Sequence, residues 1–192
     1  MNETLYTVGH STHSLGQFLD LLSKHKVSAI ADVRSTPYSR RHPHFNKEAL
    51  SKALHAVNIS YVFLGKELGT KNPPPDCIVD GKVQYHLIAS KADFSSGLDR
   101  VIKGMLNYRI ALMCVEEDPL SCHRTLLICR HLRSRVESIE HIRGNGILEI
   151  NDAFEQRLVD KAGAGEEDLF LSKRDSVENA YTILGAQITQ GR

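Results

Sequence analysis

The stretch IALMCVEEDPLSCHR, residues 110–124, joins an apolar segment directly to a cluster of polar residues. Its run of apolar residues at positions 110–115 is typical of a strand that is buried on both faces of a parallel sheet. Asp118 then predicts the start of a helix, because aspartate is a favoured N-cap and Pro119 suits the first helical position. The stretch therefore predicts a strand, a short loop and a helix, which is the repeating unit of α/β proteins.

Strands and helices alternate on both sides of this stretch. Apolar runs predict strands at residues 4–8, 27–33, 59–64 and 138–142, with amphipathic helices between them and a hairpin turn at residues 144–146. We expect one α/β domain at residues 1–150, with a mostly parallel sheet of about five strands and helices on both faces. A small C-terminal hairpin and helix extension, with its helices in residues 151–192, is expected to pack on the same domain.

Composition excludes several classes of function. The chain has 192 residues, of which 41% are apolar, and its formal net charge is +1. A nearly neutral chain has no global field to attract nucleic acid or membranes, so any anion site must be local. The apolar runs are too short to span a bilayer and the N-terminus does not resemble a secretion signal, which predicts a cytoplasmic protein with reduced cysteines.

Polar residues follow three of the predicted strands. Because the carboxyl ends of parallel strands meet at one edge of the sheet, and ligands of open α/β sheets bind there, we expect these residues to form one site. They are His10 and Ser11 after the first strand, Asp32 and Arg34 at the end of the second, and Cys114 and Glu116 at the end of the buried strand.

Cys122, His123 and Arg124 are expected in the first turn of the helix that follows. The N-terminus of a helix favours anions, and its field together with the two basic neighbours would stabilise a Cys122 thiolate. Cys122 is therefore the predicted nucleophile and should alkylate faster than an exposed Cys77. The alternative is structural, with Cys122 a buried side chain, His123 hydrogen-bonded and Arg124 paired with an acid.

The remaining roles follow from these residue types. His10 or His123 is the predicted general base, and Asp32 or Glu116 is predicted to orient it. Cys114 belongs to the same polar set, but its place at the end of a buried strand also suits a residue that only packs in the core.

The loop after the second strand, residues 34–47, contains four basic residues but no acid. Arg34, Arg40 and Arg41 offer forked donors for phosphate or carboxylate, and Tyr38 and Phe45 could lie against a base or sugar. With Ser11 and Arg124, these arginines are the predicted anion-binding residues. The alternative is a solvated basic loop.

Zinc is a rival use of the same residues, since His10, Cys114, Cys122 and His123 are all possible ligands. Their spacing matches no known zinc module. Adjacent residues of a helix point in different directions, so at most one of Cys122 and His123 is expected to bind a given ion. We therefore predict no metal ligand in the leading interpretation.

Residues 65–82 are rich in proline and glycine and are expected to form an exposed excursion without regular structure. A lid is one possible function of this segment.

The motifs TVGHS (residues 7–11), DVR (32–34), MC (113–114) and CHR (122–124), with the stretch at 61–69, resemble a known family in this order. The chain is similar, from about Leu5 to His141, to the bacterial proteins catalogued as domain of unknown function 488. The resemblance implies an α/β domain in which these motif residues are a shared polar set. It implies no established reaction, substrate or cofactor.

Our leading hypothesis is an enzyme that binds a phosphate-bearing ligand, such as a nucleotide, a small phosphorylated molecule or a nucleic-acid end, at the carboxyl edge of the sheet. A first alternative is a non-catalytic module that binds anions or nucleic acid. A second is a zinc-binding protein that uses the cysteines and histidines of this edge. The sequence indicates no particular cofactor and no oligomeric state, and no membrane partner is expected.

Overall fold

Six strands form one sheet in the computed structural model, which describes residues 4–164 and 172–190. Their order is β3-β2-β6-β1-β7-β8; the first five are parallel, and β8 pairs antiparallel with β7. A separate antiparallel hairpin joins β4 to β5. The strands are β1 (Thr4–Gly9), β2 (Ala29–Asp32), β3 (Ser60–Phe63), β4 (Ile78–Val79), β5 (Lys82–Val83), β6 (Ile110–Cys114), β7 (Ser138–Ile142) and β8 (Leu148–Ile150).

Most of the helices lie between strands in the chain, the last two follow the final strand, and helices cover both faces of the sheet. They are α1 (Leu15–Lys24), α2 (Lys47–Ala56), α3 (Gly65–Leu68), α4 (Tyr85–Ala89), α5 (Ala92–Met105), α6 (Arg130–Leu132), α7 (Asn151–Ala162) and α8 (Lys173–Gln190). A π-helical segment, Arg124–Cys129, leads directly into α6. Ser14 begins α1 with the capping box that its spacing from Gln17 favours.

The two faces of the sheet bury separate apolar clusters because side chains alternate along each strand. In β6, Leu112 packs with α5 residues such as Val101, whereas Met113 packs on the other face with Phe18 of α1. This arrangement confirms the α/β fold with a mostly parallel sheet and helices, and the sixth strand, β8, is the one that follows the predicted hairpin turn.

The proline- and glycine-rich excursion is more regular than we predicted. It contains α3, a 3₁₀ turn at Pro75–Cys77 and the β4–β5 hairpin. Cys77 is fully buried instead of exposed, because the turn directs its side chain into the cluster that includes Ile88 and Phe94. Most of residues 71–82 are exposed, as predicted, but the expectation that this part of the chain lacks regular structure was wrong.

The C-terminal helices bury a third apolar cluster. Phe154 and Leu158 of α7 pack with Tyr181 of α8, and Leu126 of the π-helical segment joins them. This cluster attaches α7 and α8 to the part of the chain that follows β6. None of the helices in residues 4–164 and 172–190 has the length and apolarity needed to cross a membrane.

The loop after β6 lies directly against the end of β1, and Gly9 makes this approach possible. A Cβ atom on Gly9 would lie 1.9 Å from the carbonyl oxygen of Glu116, which is far closer than any nonbonded contact. Glycine is therefore required here by the close approach of two backbone segments.

We expect Gly9→Ala to lower the free energy of unfolding by at least about 1–3 kcal/mol, because the loop after β6 must move to admit the methyl group. Chemical denaturation measures this loss. Gly16→Ala is the matched control: it lies in α1 with open space around its Cβ position, so it should be neutral or slightly stabilising. Equal stabilities for the two variants would contradict this role for Gly9.

A buried contact between two polar side chains joins the neighbouring strands β1 and β7. The ring of His141 in β7 is fully buried, and its Nδ1 lies 2.9 Å from Oγ1 of Thr7 in β1. Burial, reinforced by the charge of Arg124, lowers the pKa of His141 to about 3. In the unfolded chain the same ring would take up a proton below its ordinary pKa of about 6.5.

Stability should therefore fall with acidification through the window between these two pKa values, since the unfolded state binds the extra proton there. Between neutral pH and about pH 4.5, we expect His141→Gln to lose about 2–3 kcal/mol less unfolding free energy than the wild-type chain. Denaturant titrations of both proteins at the two pH values provide the comparison. Equal losses of unfolding free energy in the two proteins would show that His141 takes up the proton in the folded state as well.

Candidate functional site

Backbone hydrogen bonds continue past the ends of β1 and β6 and hold their loops together. The amide of His10 donates to the carbonyl of Cys114 at 3.0 Å, and that of Ser11 donates to Val115 at 2.8 Å. The structure thus brings the residues predicted for one site to the same carboxyl edge. They are His10, Ser11, Asp32, Arg34, Glu116, Cys122, His123 and Arg124.

Arg124 is fully buried and binds the protein's own backbone. Its guanidinium donates to the carbonyls of Glu116 and Glu117, and its Nε lies 3.4 Å from Oγ1 of Thr7. These contacts occupy donors that we expected to hold an anion. Arg124 instead fixes the loop after β6, which agrees with the structural alternative, and anion binding at this position stays a prediction.

Asp32 and Arg34 form a buried ion pair with two-point geometry. Nε and Nη2 of Arg34 lie 2.8 and 2.6 Å from the two carboxylate oxygens of Asp32, and Tyr61 donates to the same carboxylate at 2.7 Å. Nη2 of Arg34 also donates to the carbonyl of Phe45. Breaking one side of such a pair typically costs about 3–5 kcal/mol. Both groups therefore stabilise the end of β2.

The surroundings of His10 argue against its predicted role as a general base. Its ring is buried and stacks on Phe45, with centroids 4.2 Å apart. Nδ1 lies 3.0 Å from the carbonyl of Ser11, and Nη1 of Arg34 lies 3.3 Å from Nε2. Burial, together with the charge of Arg34, lowers the pKa of His10 to about 4. The neutral ring thus uses both nitrogens within the fold.

Cys122 does not lie in the first turn of a helix. Asp118 caps a short 3₁₀ turn, Pro119–Ser121, and Cys122 follows it with extended backbone angles, φ −130° and ψ 137°. The π-helical segment begins only at Arg124. Burial and the neighbouring Cys114 raise the pKa of the Cys122 thiol well above its usual value, despite the charge of Arg124. The predicted stabilised thiolate was therefore wrong for the metal-free chain.

The extended conformation of Cys122 places its sulfur with two other potential ligands. The ligand atoms of Cys114, Cys122 and His123 all lie within 4.8 Å of one another, and all three side chains are buried. Our expectation that only one of the two adjacent residues could serve an ion assumed a helix at Cys122. That assumption fails because the chain turns into the helix one residue later.

The orientation of His123 is fixed by a backbone carbonyl. Its Nε2 lies 3.1 Å from the oxygen of Val33, which assigns the proton to this nitrogen and leaves the lone pair of Nδ1 facing Cys114 at 3.6 Å. A histidine that binds a metal ion usually donates its other N–H to such a carbonyl or to a carboxylate.

Glu116 contacts both cysteines from the side of the loop. Its Oε2 accepts from the thiols of Cys114 and Cys122, at 3.1 and 3.2 Å. Burial disfavours the charged carboxylate, but hydrogen bonds from the two thiols and from the backbone together outweigh it and lower the pKa of Glu116. A negative charge thus lies beside the two sulfurs.

A cavity of about 600 Å³ adjoins this carboxylate. Glu116 lines it together with residues from the loop after β2, the excursion and α8. Besides Glu116, the polar lining residues are Thr36, Thr70, Lys71, Asn72, Tyr85 and Thr189. The size suits a small organic molecule.

The basic loop after β2 borders the same edge, but its residues have different environments. Arg40 and Arg41 are exposed, as is Tyr38, whereas Phe45 is fully buried beneath His10. The prediction that Phe45 could contact a base or sugar was therefore wrong. Asn46 precedes α2, yet its side chain accepts from the backbone of Ser39 and so holds the loop together.

A family model described as domain of unknown function DUF488 matches residues 14–130. The chain belongs to the DUF488 family. Comparisons with curated proteins and with solved structures found no match. The matched range of this DUF488 chain contains Asp32, Arg34 and the whole cysteine and histidine cluster, but it begins after His10 and Ser11 and is narrower than the resemblance seen in the motifs.

Two residues of this edge were missed in the sequence. Tyr61 hydrogen-bonds to Asp32, and Lys71 lines the cavity. Tyr61 belongs to the stretch that carried the family resemblance, so its position was a usable signal. Lys71 lies in an irregular segment, where only tertiary structure decides which side chains face a cavity.

The buried thiols reverse the alkylation order that the sequence predicted. In native, reduced protein kept metal-free with a chelator, we expect Cys122 to react much more slowly than Cys77, because the pKa of Cys122 is raised and its sulfur is enclosed. Cys77 is also buried, but it lies in a short surface turn between the exposed residues Asp76 and Ile78, so a local opening of that turn should make it the first to react. Mass spectrometry after timed alkylation ranks the four cysteines. Fastest labelling at Cys122 would restore the nucleophile hypothesis.

Proposed function

We propose that this DUF488 protein binds a zinc ion through Cys114, Cys122 and His123 at the carboxyl edge of its sheet. The observation that carries the proposal is the convergence of three buried ligand atoms within 4.8 Å of one another. Two thiolates and an imidazole are a donor set that favours zinc.

The separations agree with a shared ion. With Zn–S of about 2.3 Å and Zn–N of about 2.0 Å, two ligands of a tetrahedral site lie about 3.5 Å apart. The distance from Sγ of Cys114 to Nδ1 of His123 is 3.6 Å. Little movement is therefore needed for both to bind one ion.

The surroundings of the cluster also support an ion. Val33 orients His123 through its carbonyl, as described above, and the amide of Arg124 donates to Sγ of Cys122 at 3.4 Å. The buried guanidinium of Arg124 adds positive charge that offsets the charge of two thiolates. Contacts of this kind around a metal site fix the ligands and typically change metal affinity about 10–100-fold when they are removed.

The experiment is elemental analysis of the full chain, purified under reducing conditions without chelators. We expect about one zinc ion per chain. Cys122→Ser, Cys114→Ser and His123→Ala should each lose the ion or bind it far more weakly. Cys129→Ser is the matched control, because Cys129 is equally buried in the next turn but is not part of the cluster.

Circular dichroism identifies any variant that fails to fold, and competition with a colorimetric chelator gives the affinity of those that fold. Wild-type protein that neither contains zinc nor takes it up after reconstitution would refute the proposal. A Cys114–Cys122 disulfide in freshly isolated protein would instead indicate a redox pair.

A second candidate is the enzyme acting on a phosphate-bearing ligand that the sequence suggested. It is supported by Lys71 in the cavity and by the exposed Arg40 and Arg41 of the loop whose Thr36 also lines the cavity. The same exposed arginines suit a non-catalytic module that binds a small anion or a nucleic-acid end. Turnover of a phosphorylated compound distinguishes the enzyme from the binding module.

A further inference from the structure

We infer that the zinc ion keeps one coordination position open toward the cavity lined by Glu116 and Lys71, and that this position takes the carboxylate or phosphate group of a small molecule. The inference rests on the zinc site proposed above. It assigns the site to the class that binds an exogenous ligand, as opposed to a closed structural site.

The number of protein ligands is the first argument. Structural zinc sites are closed by four protein side chains, whereas sites that bind a water molecule or substrate have three. Within residues 4–164 and 172–190, the cluster gathers three: Cys114, Cys122 and His123. A tetrahedral ion held by them has one position left for another ligand.

The location of Glu116 indicates the direction of that position. Its carboxylate contacts both cysteine sulfurs and also lines the cavity, so it lies where the cluster and the cavity meet. When zinc binds, both thiols lose their protons and no longer donate to Glu116. Its Oε2 lies beside the sulfur atoms that would hold the ion and so marks the side of the cluster that faces the cavity.

The chemistry of the cavity indicates the ligand. Its volume of about 600 Å³ admits a small molecule, and its polar lining offers hydroxyl groups from Thr36 and Thr70 and the amide of Asn72. Lys71 supplies a positive charge, and its side chain forms no salt bridge within the described part of the chain. An ammonium group with neighbouring hydroxyls and a metal ion favours a carboxylate or phosphate over a neutral molecule.

Lys71 is held at the border of the cavity by its own backbone. The amide of Lys71 donates to Oγ of Ser35 at 2.9 Å, which connects the excursion to the loop after β2. The position of the lysine is therefore determined by the same loop that follows the Asp32–Arg34 pair.

The test uses the full chain with cobalt in place of zinc, because cobalt absorption reports sulfur ligation and coordination number. Acetate and inorganic phosphate are the probes, and acetamide is the neutral control. We expect both anions to change the visible spectrum saturably while the sulfur-to-cobalt absorption persists. Acetamide should have no effect.

Variants locate the ligand. Lys71→Ala should weaken the response to phosphate at least about fivefold, as expected for one lost ionic contact of about 1 kcal/mol, and Lys71→Arg should retain most of it. Lys52→Ala is the matched control, since this exposed lysine of α2 lines a different depression. Glu116→Gln tests whether Glu116 is the fourth ligand, and we expect cobalt in this variant to keep its coordination number and its sulfur-to-cobalt absorption.

The failures are distinguishable. A chain that binds no cobalt or zinc refutes the zinc site and this inference with it. Sulfur-ligated cobalt that ignores both anions, or that is removed by them, leaves the zinc site standing and refutes the open position. A large change of the anion-free spectrum in Glu116→Gln identifies Glu116 as the fourth ligand and also refutes the open position. An anion response that is unaffected by Lys71→Ala refutes the cavity as the binding place.

Discussion

The fully buried guanidinium of Arg124 holds the loop that leaves the central strand. It donates to two successive carbonyls, those of Glu116 and Glu117, and it approaches Thr7 in the neighbouring strand. Each carbonyl left unsatisfied in such a place would cost about 1–3 kcal/mol. The loop is fixed against the end of β1, and the side chain of Glu116 lies beside the two cysteines.

The same loop explains how Cys122 and His123 come to face one point. The 3₁₀ turn at Pro119–Ser121 ends at Cys122, whose extended backbone turns the sulfur toward Cys114. Thr125 stabilises this turn, because its hydroxyl donates to the carbonyls of Pro119 and Cys122. The helix that follows starts as a π-helix, a form that is rare and often found at functional sites.

The pair Asp32–Arg34 contributes to the cluster through the backbone between them. Their ion pair, with Tyr61, fixes the end of β2, and the carbonyl of the intervening Val33 accepts from His123. The two polar side chains therefore need not contact an ion or a substrate to matter for the site. This gives a structural reason for the spacing of the motif: the flanking residues fix the peptide whose oxygen orients the histidine.

Outside the excursion at residues 65–82, the sequence by itself determined the order of the sheet strands and the main helices, because apolar period, caps and glycine turns are local signals. It also determined that the polar residues after β1, β2 and β6 meet, since parallel strands end at one edge. Only the tertiary structure decided what those residues do there. The sequence predicted that Arg124 and Arg34 bind an anion, but in the structure Arg124 donates to backbone carbonyls and Arg34 donates to Asp32. It predicted a Cys122 thiolate, but burial raises the pKa of that thiol. Burial and pairing depend on segments distant in the chain, and the one-residue offset between Cys122 and the helix depends on a turn whose end no local pattern marks.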